Sequence, residues 1–166
     1  MLKQIFEGYG PGEAAVWVDC LTDGPRRIAA EVRAAFLRHG GRLGAPGSVG
    51  YLFREVGRLV IPADSRPEAL IRLASEAGAE DVMTGRGGMA EVYTDPLELE
   101  AVRTTLERAG FTSALHELTR RTAVRVPLEG SAVEEMRALL GELRGVGGVQ
   151  RIYTNAEAAG ELLESV

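Results

Sequence analysis

The chain has 166 residues, 45% of them hydrophobic and 26% charged, with a formal net charge of -5 at neutral pH. That composition supports one ordinary folded domain or two small ones and argues against a disordered chain; the acidic balance argues against wholesale coating of nucleic acid. One cysteine, Cys20, excludes an internal disulfide, and the two histidines, His39 and His116, lie too far apart to give a metal-ligand spacing.

No apolar run is long enough to cross a bilayer and no signal-peptide pattern opens the chain, so a cytoplasmic protein with no membrane partner is expected. Charge is distributed unevenly. Residues 1–57 carry seven basic and six acidic side chains, 58–120 seven and eleven, and 121–166 five and seven. Only the first segment is net positive.

The chain opens with a strand predicted over Gln4–Tyr9 and a second over Ala14–Leu21, where Val16, Val18 and Cys20 alternate with Trp17 and Asp19. Between them Gly8, Gly10 and Gly12 flank Tyr9 and Pro11. A dinucleotide fingerprint follows a strand and opens a helix, whereas Gly12 is followed by a strand, so this run fails that test. It reads either as a tight hairpin or as a ligand-contacting turn. Tyr9 is the one residue there that a hairpin does not require: exposed it could stack on a base, buried it is core.

Pro25 opens a helix whose Ile28, Val32, Ala35 and Phe36 follow helical spacing, and Gly40-Gly41 closes it. At 100° per residue Arg26, Arg27, Arg33 and Arg38 fall on the arc opposite the apolar face, with Glu31 at its margin. Such a stripe is either a solvated face or an anion-binding one. A glycine-rich loop follows from Gly40 to Gly47, including Arg42, and Ser48–Phe53 alternates as a strand.

From about Gly57 the pattern becomes a cycle. A strand at Leu59–Ile61 precedes a helix opened by a capping box from Ser65, burying Leu70, Ile71 and Leu73 and ending at Gly78. A hairpin joins Asp81–Thr84 to Met89–Thr94 through Gly85–Gly88. Asp95-Pro96 caps a helix with Leu99, Val102 and Leu106 on one face, and Ser113–Leu118 is the last strand. The order strand, helix, strand, strand, helix, strand is that of a ferredoxin-like sandwich.

The chain returns with a strand over Thr122–Pro127 and a helix capped at Ser131 that presents Val133, Met136, Leu139, Leu140 and Leu143. A strand at Val149–Tyr153 follows, and Ala156–Val166 is helix-prone. These last elements are too few to stand alone. They complete the sheet begun before Gly57, giving an α+β chain in which a ferredoxin-like βαββαβ domain (58–120) is inserted into a discontinuous α/β sandwich domain (1–57 plus 121–166).

No catalytic constellation emerges. His39 sits at a helix C-terminus, where the dipole favours imidazolium; His116 and Glu117 are strand neighbours pointing to opposite faces; Cys20, mid-strand, reads as an inert buried thiol. No enzymatic activity and no cofactor are expected. The first functional reading is therefore nucleic-acid binding, with Arg26, Arg27, Arg33, Arg38 and Arg42 contacting phosphates near Tyr9 and giving affinity without sequence readout. The second is a protein-interaction or small-ligand module in which the acidic ferredoxin-like unit offers a sheet face or edge, including for a homodimer.

The run EGYGPGEAAVWVDCLTD followed by AAEVRAAFLRHGGRLGAPGSVGYLF resembles the YebC/PmpR family and its mitochondrial relative, the translational activator of cytochrome oxidase subunit I. The stretches EAGAEDV, DPLELEAVRTTLERAGF and GVGGVQRIYTN agree with it in order. The resemblance covers the family's second and third domains; only MLKQIF precedes the EGYGPG motif, where family members carry a basic helical domain. It implies regulation of transcription or assistance to translation on the ribosome, with DNA or RNA as partner and no reaction catalysed. A protein that supplies the missing helical domain is a further expected partner. Glu13 stands where the family has a second glycine, and a carboxylate there repels phosphate.

Overall fold

The computed structural model describes residues 1–64 and 66–163, apart from the side chain of Arg86. In chain order the elements are β1 (Leu2–Tyr9), β2 (Ala15–Thr22), α1 (Pro25–Arg38), β3 (Arg42–Leu43), β4 (Arg54–Pro62), α2 (Pro67–Glu76), β5 (Asp81–Thr84), β6 (Met89–Thr94), α3 (Leu99–Arg108), β7 (Leu115–Arg121), β8 (Val126–Pro127), α4 (Ser131–Arg144), β9 (Val149–Thr154), β10 (Ala156–Ala158) and β11 (Glu161–Leu162). The chain forms two compact units: Met1–Arg54 together with the chain from Thr122 onward, and Glu55–Arg121.

In the first unit the sheet order is β3-β1-β2-β9. β1 and β2 pair antiparallel in full register from Leu2 opposite Thr22 to Tyr9 opposite Ala15, and β9 pairs antiparallel on the other side of β2. Strand alternation then sorts the faces. Val16, Val18 and Cys20 pack against α1 and α4 in a core with Ile28, Val32, Phe36, Met136, Leu139, Leu140 and Leu143. The opposite face carries Ala15, Trp17 and Tyr153, covered by Val49 and Phe53.

The second unit has sheet order β5-β6-β4-β7, the arrangement of a ferredoxin-like βαββαβ sandwich. Leu59, Ile61, Ala90 and Val92 face Leu70, Ala74, Val102, Leu106 and Phe111 in a separate core. The other sheet face is polar. Arg58 bonds Glu91 and Glu117, and Arg121 pairs with Asp81 at 3.1 Å while lying 3.7 Å from the Tyr93 ring centroid.

Several expectations are corrected. Ser48–Phe53 is no strand: its backbone turns through a 3-10 helix at Gly50–Leu52. The strand expected over Thr122–Pro127 shrinks to Val126–Pro127, which pairs in parallel with β10 rather than joining the main sheet. The helix-prone tail instead forms β10 and β11, and its last three residues lie outside those described. Ser131 is the first residue of α4, not its cap; Gly130 takes that place with φ 59° and no side-chain bond. Ile71 is 40% exposed, leaving Leu70 and Ala74 as the buried residues of α2. The capping residue expected at Ser65 lies outside the described residues.

Candidate nucleic-acid interface

The glycine run after β1 forms a closed turn. Gly10 N–H donates to the Ala14 carbonyl at 2.9 Å and Glu13 N–H to the Gly10 carbonyl at 3.1 Å, around a 3-10 turn over Pro11–Glu13. Its glycines answer to packing. A β-carbon on Gly8 would lie 2.5 Å from the Arg42 carbonyl oxygen, one on Gly41 2.5 Å from that of Tyr9, and one on Gly10 2.5 Å from Met136 Cε. These glycines allow β1, the segment entering β3, and α4 to approach closely. Gly12 takes φ 75° against Leu128, and Gly40 takes φ 74° where α1 ends. The turn's interior is filled by side chains.

The arginines of α1 divide into two arcs. Successive residues advance about 100° around a helix, so Arg26 and Arg33 lie about 20° apart, and so do Arg27 and Arg38. All four are exposed, as is Arg42. On the second arc Arg27 pairs with Glu31 at 3.1 Å and Arg38 makes a forked contact with Glu142 of α4, at 3.0 Å from Nε and 2.9 Å from Nη2. Arg42 forms a bidentate pair with Glu13, both bonds at 2.8 Å. Among the described residues, Arg26 and Arg33 have no carboxylate partner.

The paired carboxylates are shifted accordingly. The Arg42 hydrogen bonds hold Glu13 below the usual carboxylate range, and those from Arg38, aided by His39, do the same for Glu142. The stripe therefore carries more acid than α1 alone shows, because Glu13 and Glu142 come from other elements. Exposed pairs of this kind contribute little stability and open readily to a competing anion. Glu13 thus stands beside Arg42 as its counter-ion.

Tyr9 is half-buried. Its hydroxyl donates to the Ser48 carbonyl at 3.4 Å, and the Arg42 guanidinium carbon lies 4.8 Å from its ring centroid. One ring face is thereby occupied by a cation, so a base could stack on that face only by displacing Arg42.

Sequence reasoning missed Glu7. This residue is 9% exposed, and its carboxylate accepts three backbone N–H groups: Gly47 at 2.6 Å, Gly50 at 2.5 Å and Val49 at 3.2 Å. Its own carbonyl accepts Gly44 N–H at 2.8 Å. Both ends of one residue thus organise the loop from Gly44 to Gly50. A β-carbon on Gly50 would lie 2.8 Å from Glu7 Oε1, so a larger residue there would push the carboxylate out of its place. An acid directly preceding a glycine run, with a second glycine-rich loop downstream short of polar side chains, is the signal that could have revealed it.

Asn155 was also missed. It is 2% exposed, and its side-chain oxygen accepts Ala15 N–H at 2.7 Å, while the neighbouring Thr154 hydroxyl donates to the Ala15 carbonyl at 2.7 Å. These bonds tie the end of β9 to the start of β2. His39 caps α1, with its ring nitrogens 3.8 Å from Glu135 and 3.4 Å from Glu142. Cys20 is 1% exposed, and burial with the neighbouring Asp19 charge pushes its thiol up to about 11. Among the described residues no group of His, Cys, Asp and Glu side chains could hold a metal ion, and no helix is long and apolar enough to cross a membrane.

Residues 2–156 match the family model described as the TACO1/YebC second and third domain. The chain is 43% identical over 153 residues to a probable transcriptional regulatory protein of Thiobacillus denitrificans, covering 91% of this chain and 63% of that protein. It is 44% identical over 158 residues to one of Methylococcus capsulatus, covering 95% and 64%. A solved structure of a conserved hypothetical protein from Aquifex aeolicus superposes with a TM-score of 0.83 at 36% identity, over 99% of this chain and 68% of that one. The chain thus spans just under two thirds of the length of these two curated relatives.

Proposed function

Because the chain belongs to the TACO1/YebC family and carries its second and third domains, we propose that it regulates gene expression through non-enzymatic contact with nucleic acid. The curated relatives are named as probable transcriptional regulatory proteins, which supports the regulatory part of this reading. The contact surface centres on the exposed arc of α1 that bears Arg26 and Arg33. The observation that carries it is an imbalance of charge: two arginines share one helical arc without a carboxylate partner among the described residues, in a chain of net charge -5. Arg27, Arg38 and Arg42 extend the surface when phosphate displaces Glu31, Glu142 and Glu13. Such contacts provide affinity that does not depend on base sequence.

Co-sedimentation with ribosomes at low and high salt, beside an Arg26→Glu/Arg33→Glu variant, tests the reading. The expected result is salt-sensitive binding that the variant loses. If the wild type stays at the top of the gradient, the ribosome is not the target, and mobility-shift assays with RNA and DNA then decide between another nucleic acid and none. Binding that persists undiminished in high salt would favour an apolar protein interface instead.

A further inference from the structure

The loop held by Glu7 leads into one aromatic side chain that is held outward. Val49 and Phe53 are 0% and 3% exposed and pack with Trp17 and Tyr153, yet Tyr51, midway between them, is 79% exposed. Of the nine aromatic side chains in the sequence, it is the only one exposed. The flanking anchors are specific. Phe53 meets Trp17 and Tyr153 with ring centroids 6.1 and 6.3 Å apart, and the N–H groups of Val49 and Gly50 are bound by Glu7.

Tyrosine is intermediate in burial and enriched at interfaces, where its ring packs and its hydroxyl stays wet. Here it is held out on a backbone fixed on both sides, so little further ordering is needed when a flat partner binds. The loop's nearby Gly44, Ala45, Pro46 and Gly47 are exposed and small. One cation reaches this loop: Arg42 lies over Tyr9, whose hydroxyl bonds the Ser48 carbonyl, whereas α1 packs on the other face of the sheet. An aromatic ring beside a cationic surface is the combination by which proteins hold single strands, through base stacking and phosphate contact.

We propose that Tyr51 is a stacking platform for an unpaired RNA base, on a strand whose neighbouring phosphate contacts Arg42. This rests on the nucleic-acid reading above and adds to it an element that selects unpaired over duplex RNA. The test uses the full chain and a short single-stranded RNA carrying one 2-aminopurine, whose fluorescence falls when it stacks, with the same sequence as a duplex for comparison.

Wild-type protein should bind the single strand more tightly than the duplex and quench the 2-aminopurine. Tyr51→Phe should keep both properties. Tyr51→Ala should lose the quenching and weaken binding about tenfold, with an unchanged denaturation midpoint, because the side chain supports nothing beneath it. Arg26→Glu/Arg33→Glu should weaken binding while keeping the quenching at saturating protein. If Tyr51→Ala binds and quenches like wild type, the stacking platform is refuted and the arginine surface stands. Equal binding of duplex and single strand without quenching refutes it also, and so does a wild type that binds neither RNA; a DNA shift assay with the same protein then decides whether the broader nucleic-acid reading falls with it.

Discussion

Replacing Glu7 by Gln removes one charge and changes almost no volume, so its effect isolates the carboxylate's role. Three backbone N–H groups converge on the two carboxylate oxygens, two of them at 2.5–2.6 Å. An amide offers only one accepting oxygen and turns an N–H group toward the remaining donors. At least one charge-assisted bond is lost, worth about 1.5–3 kcal/mol, and a donor is left facing a donor. The expected destabilisation is about 2–4 kcal/mol. Trp17, the chain's single tryptophan, packs against Val49 and Phe53 of this loop and reports the first unit. Urea unfolding followed by its fluorescence should show a clearly lower midpoint for Glu7→Gln. A change below about 0.5 kcal/mol, the scatter of ordinary surface substitutions, would refute the view that Glu7 holds the loop.

Three further outcomes follow from the geometry. Asn155→Ala strips the buried Ala15 N–H of its partner, which should cost about 1–3 kcal/mol in the same unfolding assay; an unchanged midpoint would contradict it. Cys20, buried and with its thiol raised to about 11, should resist aromatic disulfide reagents at pH 8 in the native protein and react once denaturant is added; prompt native labelling would contradict the packing. Glu142 is held below the usual carboxylate range by Arg38 and His39. A depressed carboxylate contributes stability that is full above its unfolded value and is lost as pH falls through its folded value. Because the pair is exposed, the stability gap between wild type and Glu142→Gln should be small at neutral pH and vanish on acidification; the direct readout is the Glu142 carboxyl followed by NMR, which should titrate below the unpaired glutamates and move back toward them in Arg38→Gln, and titration among them in the wild type would contradict the pairing.

The local elements were legible because their periodicity is set by burial on one face. Val16, Val18 and Cys20 alternate into the core, and Ile28, Val32 and Phe36 recur at helical spacing. The ferredoxin-like cycle was readable for the same reason. Ser48–Phe53 was not: Val49 and Phe53 are buried with Tyr51 exposed between them, a pattern that departs from strand alternation only when Glu7, some forty residues earlier in the chain, bends the backbone. The short β10 and β11 escaped, and β8 was expected in the wrong sheet, because β10 is placed by pairing with the distant β8 and β11 by a tight hairpin onto β10, neither of which patterning reveals.

The interface was legible only in part. The exposure of Arg26, Arg27, Arg33 and Arg38 follows from the period of α1 alone. The partition into paired and unpaired arginines depends on Glu13, in the β1–β2 turn, and on Glu142, 104 residues from Arg38. Helical geometry gives no access to such distant partners, so the stripe read from sequence appeared more basic than it is.

The most direct measurement is the salt dependence of RNA binding by the wild type and by Arg26→Glu/Arg33→Glu. If these two arginines contact phosphates, log affinity should fall linearly with log salt, and the variant should show weaker binding with a slope shallower by about 1.4, the value for two phosphate contacts on a single strand. A variant with the wild-type slope and affinity would contradict the arginine arc as the site of contact.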